Sequence, residues 1–195
     1  MMGLPMPTLP FADDPILTEG AAYWLRKRAG RPMPARRDID LLDMPARIVP
    51  HVVLAEILAP SGLVRYRIVG EEMVERFGFN FGGKTSRQIF HGTYRTFLED
   101  TFALLYRDRM PVYTESQFRW DNDGHALTRR LMMPLANDGD SPSHVFIVQT
   151  WPPCSKDSFP ARRMVIQPEQ LEKHSSKVFI LPQRWDSTGA GGRDS

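Results

Sequence analysis

Residues 111–151 leave few choices of fold. Three β-rich runs, Pro111 to Trp120 (PVYTESQFRW), His125 to Leu135 (HALTRRLMMPL) and His144 to Trp151 (HVFIVQTW), are separated by Asp121-Asn122-Asp123-Gly124 and Asn137-Asp138-Gly139-Asp140. Asn, Asp and Gly accept the positive φ that tight turns require, so the runs predict hairpin-connected, antiparallel strands.

Upstream, His51 to Leu58 (HVVLAEIL) and Leu63 to Val69 (LVRYRIV) flank Ala-Pro-Ser-Gly and predict another hairpin. In the second run Val64, Tyr66 and Ile68 alternate with Arg65 and Arg67, which predicts one buried and one wet face. Gly70 ends that strand. EEMVERF then reads as a helix with Glu71 and Glu72 in its first turn, Met73, Val74 and Phe77 on its apolar side, and Gly78 as its stop. In HGTYRTFLEDTFALLYRDR, Tyr94, Phe97, Leu98, Thr101, Phe102 and Leu105 form a stripe opposite Arg95, Glu99 and Asp108, the longest helix of the chain.

The N-terminal segment carries a further helix. Asp14-Pro15 supplies an N-cap and a first-turn proline, and Leu17, Ala21, Trp24 and Leu25 recur at helical spacing until Gly30. Its apolar side has two candidate seats, the domain's own sheet or a second copy of the chain. On the second, Leu17, Ala21, Trp24 and Leu25 form a homodimer interface. A Pro-pinned connector, RPMPARRDIDLLDMPARIVP, follows, with a helical turn expected in DLLDMPARI. The expected organisation is a flexible N-terminus over 1–14, a domain over 15–155 and a largely disordered tail over 156–195. Within that tail KVFILP is a candidate to dock on a sheet edge.

Charge and cysteine usage exclude several functions. The net charge is +2, and the segment from Lys156 onward, with seven basic and five acidic residues, accounts for all of it, which argues against a nucleic-acid partner. The single Cys154 excludes an intramolecular disulfide and a Cys-based zinc site. MMGLPMPTLPFADDP lacks the pattern of a signal peptide, and no run approaches the ~20 apolar residues of a membrane span. A cytoplasmic protein without membrane partners is expected.

Residues 78–85, GFNFGGKT, match G-x-x-x-x-G-K-[ST], whose backbone amides cradle nucleotide phosphates. Such a loop must follow a buried parallel strand and open a helix. Here it follows a helical segment in a chain of antiparallel hairpins. A P-loop enzyme using Gly78 to Thr85 is therefore the alternative, not the expectation.

The segments GRPMPARRDID, MPARIVPHVVLAEI, YRIVGEEMVERFG, DRMPVY and RRLMMPLANDGD, in this order over roughly residues 15 to 150, resemble a bacterial branch of small PAS-like proteins with an N-terminal helix. The resemblance implies an α+β fold: a five-stranded antiparallel sheet curved around one long helix and several short ones. It also implies a sensory or protein-interaction module of signal transduction acting through a protein partner, with no catalytic set and no fused effector. The pocket in such domains holds haem, flavin, a small metabolite or nothing, so the cofactor stays unassigned and a ligand-free scaffold is a further alternative. Gly83-Lys84 matches the turn many PAS domains carry between short helices. No Cys lies where the flavin-binding members place a reactive one. Haem-binding members place a His near the long helix, and His91 stands at its start, although a helix-capping or surface role is the commoner one for such a residue. Tyr66, Phe90, Tyr94, Phe97, Tyr113, Arg130 and Met132 are the candidate pocket lining between sheet and long helix. The same residues would also serve as plain core. One of Arg129 and Arg130 must point away from its neighbour, and an inward guanidinium needs a carboxylate or an anionic ligand.

Overall fold

Every β-rich run of the sequence enters one sheet, and its order explains how both faces are covered. The computed structural model describes residues 9–119, 125–137, 140–152 and 174–182. In chain order these form α1 (Pro15–Arg28), β1 (Val52–Ile57), β2 (Val64–Val69), α2 (Glu71–Phe77), α3 (Ser86–Ile89), α4 (Gly92–Asp108), β3 (Val112–Arg119), β4 (His125–Ala136), β5 (Pro142–Thr150) and β6 (His174–Ile180). The strands lie in the order β2-β1-β5-β4-β3-β6 and pair antiparallel throughout. This is the α+β architecture the resemblance implies, with a sixth strand added. Residues 1–8, 120–124, 138–139, 153–173 and 183–195 lie outside the described residues, and with them the turn expected at 121–124 and the middle of the one expected at 137–140.

The sixth strand comes from the segment expected to be tail. β6 pairs with β3 from Val112–Ile180 to Phe118–His174, and Leu181 beyond it is buried. The N-terminal boundary moves as well. Phe11 is wholly buried, its ring 5.2 Å from that of Tyr113, so the fold begins before residue 15.

Asp14 starts α1 as the sequence predicts. Its Oδ1 accepts the backbone N–H groups of Ile16 and Leu17, both at 3.1 Å, and its Oδ2 accepts the Thr150 hydroxyl at 2.6 Å. One carboxylate thus caps the helix and ties it to β5. Asp14→Ala is expected to lower unfolding stability by about 1–2 kcal/mol, and Asp14→Asn, which keeps a capping oxygen, by less. Urea unfolding followed by circular dichroism measures both.

Of the two seats open to α1, the helix occupies the chain's own sheet. Leu17, Ala21 and Trp24 are buried there, Leu25 packs at the margin, and Trp24 Nε1 donates to the Pro134 carbonyl of β4 at 3.0 Å. A Cβ on Gly20 would stand 2.6 Å from Val148 Cγ2, so the helix backbone lies almost against β5. Three of the four side chains assigned to a homodimer interface, Leu17, Ala21 and Trp24, are therefore closed inside one chain, and Leu25 is half-buried. The connector is clasped to the helix by Tyr23, whose hydroxyl donates to Asp43 Oδ1 at 2.6 Å and accepts the Asp40 N–H at 3.1 Å. Of the connector's 3-10 turns, Leu41–Asp43 falls inside the predicted DLLDMPARI.

Alternation along β2 misleads at one point. Ala55 pairs with Tyr66 but Leu54 with Ile68, so Arg67 is an extra residue and the strand bulges. A bulge turns every later side chain to the other face. Tyr66 therefore packs in the core on the side of α2, α3 and α4, whereas Ile68 packs against the core on the side of α1.

The sheet consequently carries a core on each face. One face holds Val53, Tyr66, Val112, Met132 and Ile147 against α2, α3 and α4. The other holds Leu54, Tyr113, Leu131, Met133, Phe146 and Val148 against α1 and the connector. Continuous apolar runs such as VFIV and LMMPL are what strands covered on both sides require.

Candidate functional site

In TRRLMMP neighbouring residues must face opposite ways, and the strand register decides which arginine goes in. β3 and β4 pair Val112 with Met132 and Thr114 with Arg130, so Arg130 faces α4 and Arg129 faces α1. Arg129 meets carboxylates there, Asp13 at 2.9 Å and Glu115 at 3.6 Å.

Arg130 meets none. It is 5% exposed; its Nε donates to Gln149 Oε1 at 2.8 Å and its Nη2 to the Tyr94 hydroxyl at 2.8 Å. Gln149 is the cross-strand partner of Arg130 on β5, and Tyr94 comes from the first turns of α4. One guanidinium therefore joins β4, β5 and the long helix through neutral acceptors. Its remaining nitrogen, Nη1, is buried and has no hydrogen-bond partner among the described residues.

Arg130 and Gln149 form the polar end of a cavity of about 20 Å³. The rest of the wall is apolar and aromatic, including Tyr66, Phe77, Phe81, Phe90, Leu98 and Phe102. The rings hold one another edge-on, Tyr66 to Phe81 at 5.0 Å, Phe77 to Phe90 at 5.8 Å and Phe90 to Tyr94 at 5.5 Å. Burial pushes the Tyr66 phenol above its ordinary pKa, against the pull of the nearby Arg130 charge, so the hydroxyl stays a neutral donor. The space suits about one water-sized group.

The residues predicted as pocket lining separate into groups. Tyr66, Phe90 and Arg130 line the cavity, and Tyr94 holds Arg130 from just behind it. Met132 is buried on the same face but away from the cavity. Phe97 sits on the flank of α4, its ring 6.0 Å from that of Tyr94. Tyr113 lies on the opposite face of the sheet, donates to Glu115 Oε1 at 2.7 Å and has no part in the site. Gln149, Phe77 and Phe81 were not predicted. Gln149 carried a signal, as the polar residue that follows the apolar run VFIV.

His91 is exposed at the start of α4, and the cavity is far smaller than a porphyrin. These residues do not fit haem. Among the described residues, no group of three or more His, Cys, Asp or Glu is placed to hold a metal ion, and no helix is long and apolar enough to cross a membrane.

The last four amides of GFNFGGKT are already bonded within the chain. Gly82 N–H donates to Asn80 Oδ1 at 2.8 Å, Gly83 N–H to the Tyr66 carbonyl at 2.7 Å, Lys84 N–H to the Phe81 carbonyl at 3.1 Å, and Thr85 N–H to Gln88 Oε1 at 2.8 Å. Tyr66 N–H in turn donates to the Lys84 carbonyl at 2.9 Å. The segment therefore lies along the outer edge of β2 as a paired turn, and Gly78, with φ 73°, ends α2 as predicted. A phosphate cradle needs converging, unbonded amides, so the P-loop alternative loses its geometry.

Residues 13–148 match the family model described as PAS domain. No curated protein and no solved structure matches the chain.

Proposed function

The chain belongs to the PAS domain family, and from that premise we propose that it is a sensory module of signal transduction whose signal enters at the cavity between the sheet and α4 and leaves through a protein partner. The observation that supports this reading is the Arg130 clasp. Its Nη2 bond to Tyr94 is a polar tie between α4 and the sheet, and the guanidinium that makes it also borders the cavity. Whatever enters the cavity competes for, or completes, the hydrogen bonding of Arg130. The packing of α4 and the occupancy of the cavity are then linked, and a population shift between two helix packings is the output. A ligand with equal affinity for both packings would shift nothing, so the link through one shared side chain is what the mechanism requires.

Tyr94→Phe tests the link, because it removes the hydroxyl and keeps the ring. Amides of α4 are expected to exchange with deuterium faster in the variant, while those between β4 and β5 keep their protection. Unchanged exchange along α4 would mean that the clasp does not control the helix, and the proposed output route would fall.

A further inference from the structure

Resting on the reading of the cavity as a sensory site, we propose that it binds a small monoanion of the size of chloride or formate, held by Arg130 Nη1.

The argument begins with charge. A guanidinium keeps its proton at any ordinary pH, so a 5% exposed Arg130 is a buried cation. Buried cations are normally paired with carboxylates, and even the half-buried Arg129 on the other face has Asp13 and Glu115. Arg130 instead has Gln149 and Tyr94, both neutral acceptors, and no ion pair among the described residues. The charge thus remains uncompensated within its own shell. Nη1 offers unused N–H donors in surroundings of low polarity, where a charge-assisted hydrogen bond is strongest.

Size and shape narrow the class. About 20 Å³ excludes a nucleotide, a flavin or a fatty acid, and admits a single small group. A dianion would exceed the charge available. Tyr66 also lines the cavity, and its neutral phenol is a further hydrogen-bond donor suited to an anion. An anion in this place would complete the shell of Arg130 and thereby strengthen the tie through Tyr94 to α4.

The test uses the full chain at constant ionic strength, with sodium gluconate replaced stepwise by sodium formate or sodium chloride. Thermal unfolding and the NMR resonances of Arg130 Nε–H and the Gln149 side-chain amide are followed. One of the small anions is expected to shift these resonances and raise the unfolding temperature with a saturable dependence. In Arg130→Met the apparent affinity should fall by at least about tenfold. Should that variant fail to fold, Tyr66→Phe, which removes only a hydroxyl, is expected to weaken the same titration. A linear, unsaturable response, or equal responses in the parent and the variants, overturns the proposal. Mass spectrometry of molecules extracted from the purified protein separates the two readings. A neutral compound that Arg130→Met still retains would overturn the anion and leave the sensory cavity standing. No response to either anion together with an empty extract would remove both.

Discussion

Trp24→Ala is expected to destabilise the protein by about 3–5 kcal/mol, among the largest effects of any single truncation in the chain. The indole is 1% exposed between α1 and the sheet, and its removal leaves a cavity in the core under that helix. It also deprives the Pro134 carbonyl of its Trp24 partner, which adds the cost of an unsatisfied buried acceptor. For a domain of this size the loss corresponds to a fall in unfolding temperature on the order of 10 °C. Trp24→Phe separates the contributions, since it keeps most of the apolar volume and loses only the hydrogen bond, at about 1–2 kcal/mol. Thermal unfolding run alongside sedimentation velocity also decides where α1 sits. A small stability loss accompanied by a change in oligomeric state would place Trp24 between two chains and contradict its seat on its own sheet.

Gly62→Ala is expected to cost about 3 kcal/mol or more, for a reason that involves no side chain in the parent protein. Gly62 closes the turn between β1 and β2 with φ 88°, and its Cβ position collides with the backbone carbonyl of Glu99 on α4. Both partners are main chain, so no rotamer change relieves the overlap and the loop or the helix must move. Gly83→Ala is the matched control. Its φ of 83° imposes the same left-handed strain, yet nothing lies within 4 Å of its Cβ position, and the expected cost is only about 1 kcal/mol. Urea unfolding of the pair measures the difference. Equal costs would show that the turn does not press on α4.

Much of this architecture was legible because it depends on local pattern. Turn formers at 59–62, the glycine stop at Gly78 and the cap at Asp14 each act within a few residues, so their signals survive in one sequence. The inward arginine of TRRLMMP was legible as a choice but not as an outcome, since alternation decides that the two arginines part and only the register with β3 decides which goes where. Tyr113 was misplaced for the same reason: pairing opposite Leu131 puts it on the face away from Arg130 and Met132. Ile68 was misplaced by a bulge whose extra residue is defined by the partner strand, so the regular alternation of Arg65, Tyr66, Arg67 and Ile68 conceals it. An amphipathic stripe such as that of α1 shows that a cover exists without showing whose surface supplies it. GFNFGGKT shows the converse limit. A short pattern matches its motif residue for residue, while the hydrogen bonds its amides form are settled by the neighbouring strand.

The position of β6 bears on the order of events during folding. It follows the other strands in the chain, yet its partner is β3, so its docking closes a long stretch of sequence that contains β4 and β5. Contacts that close long loops form late. The β3 edge is thus uncovered while the rest of the sheet assembles, and β6 brings little burial to it, with Val178, Phe179 and Ile180 still 43%, 38% and 48% exposed. A strand that arrives last and buries least is also the first to leave. In the native protein, transient opening should expose β3 far more often than it exposes β1, β4 or β5.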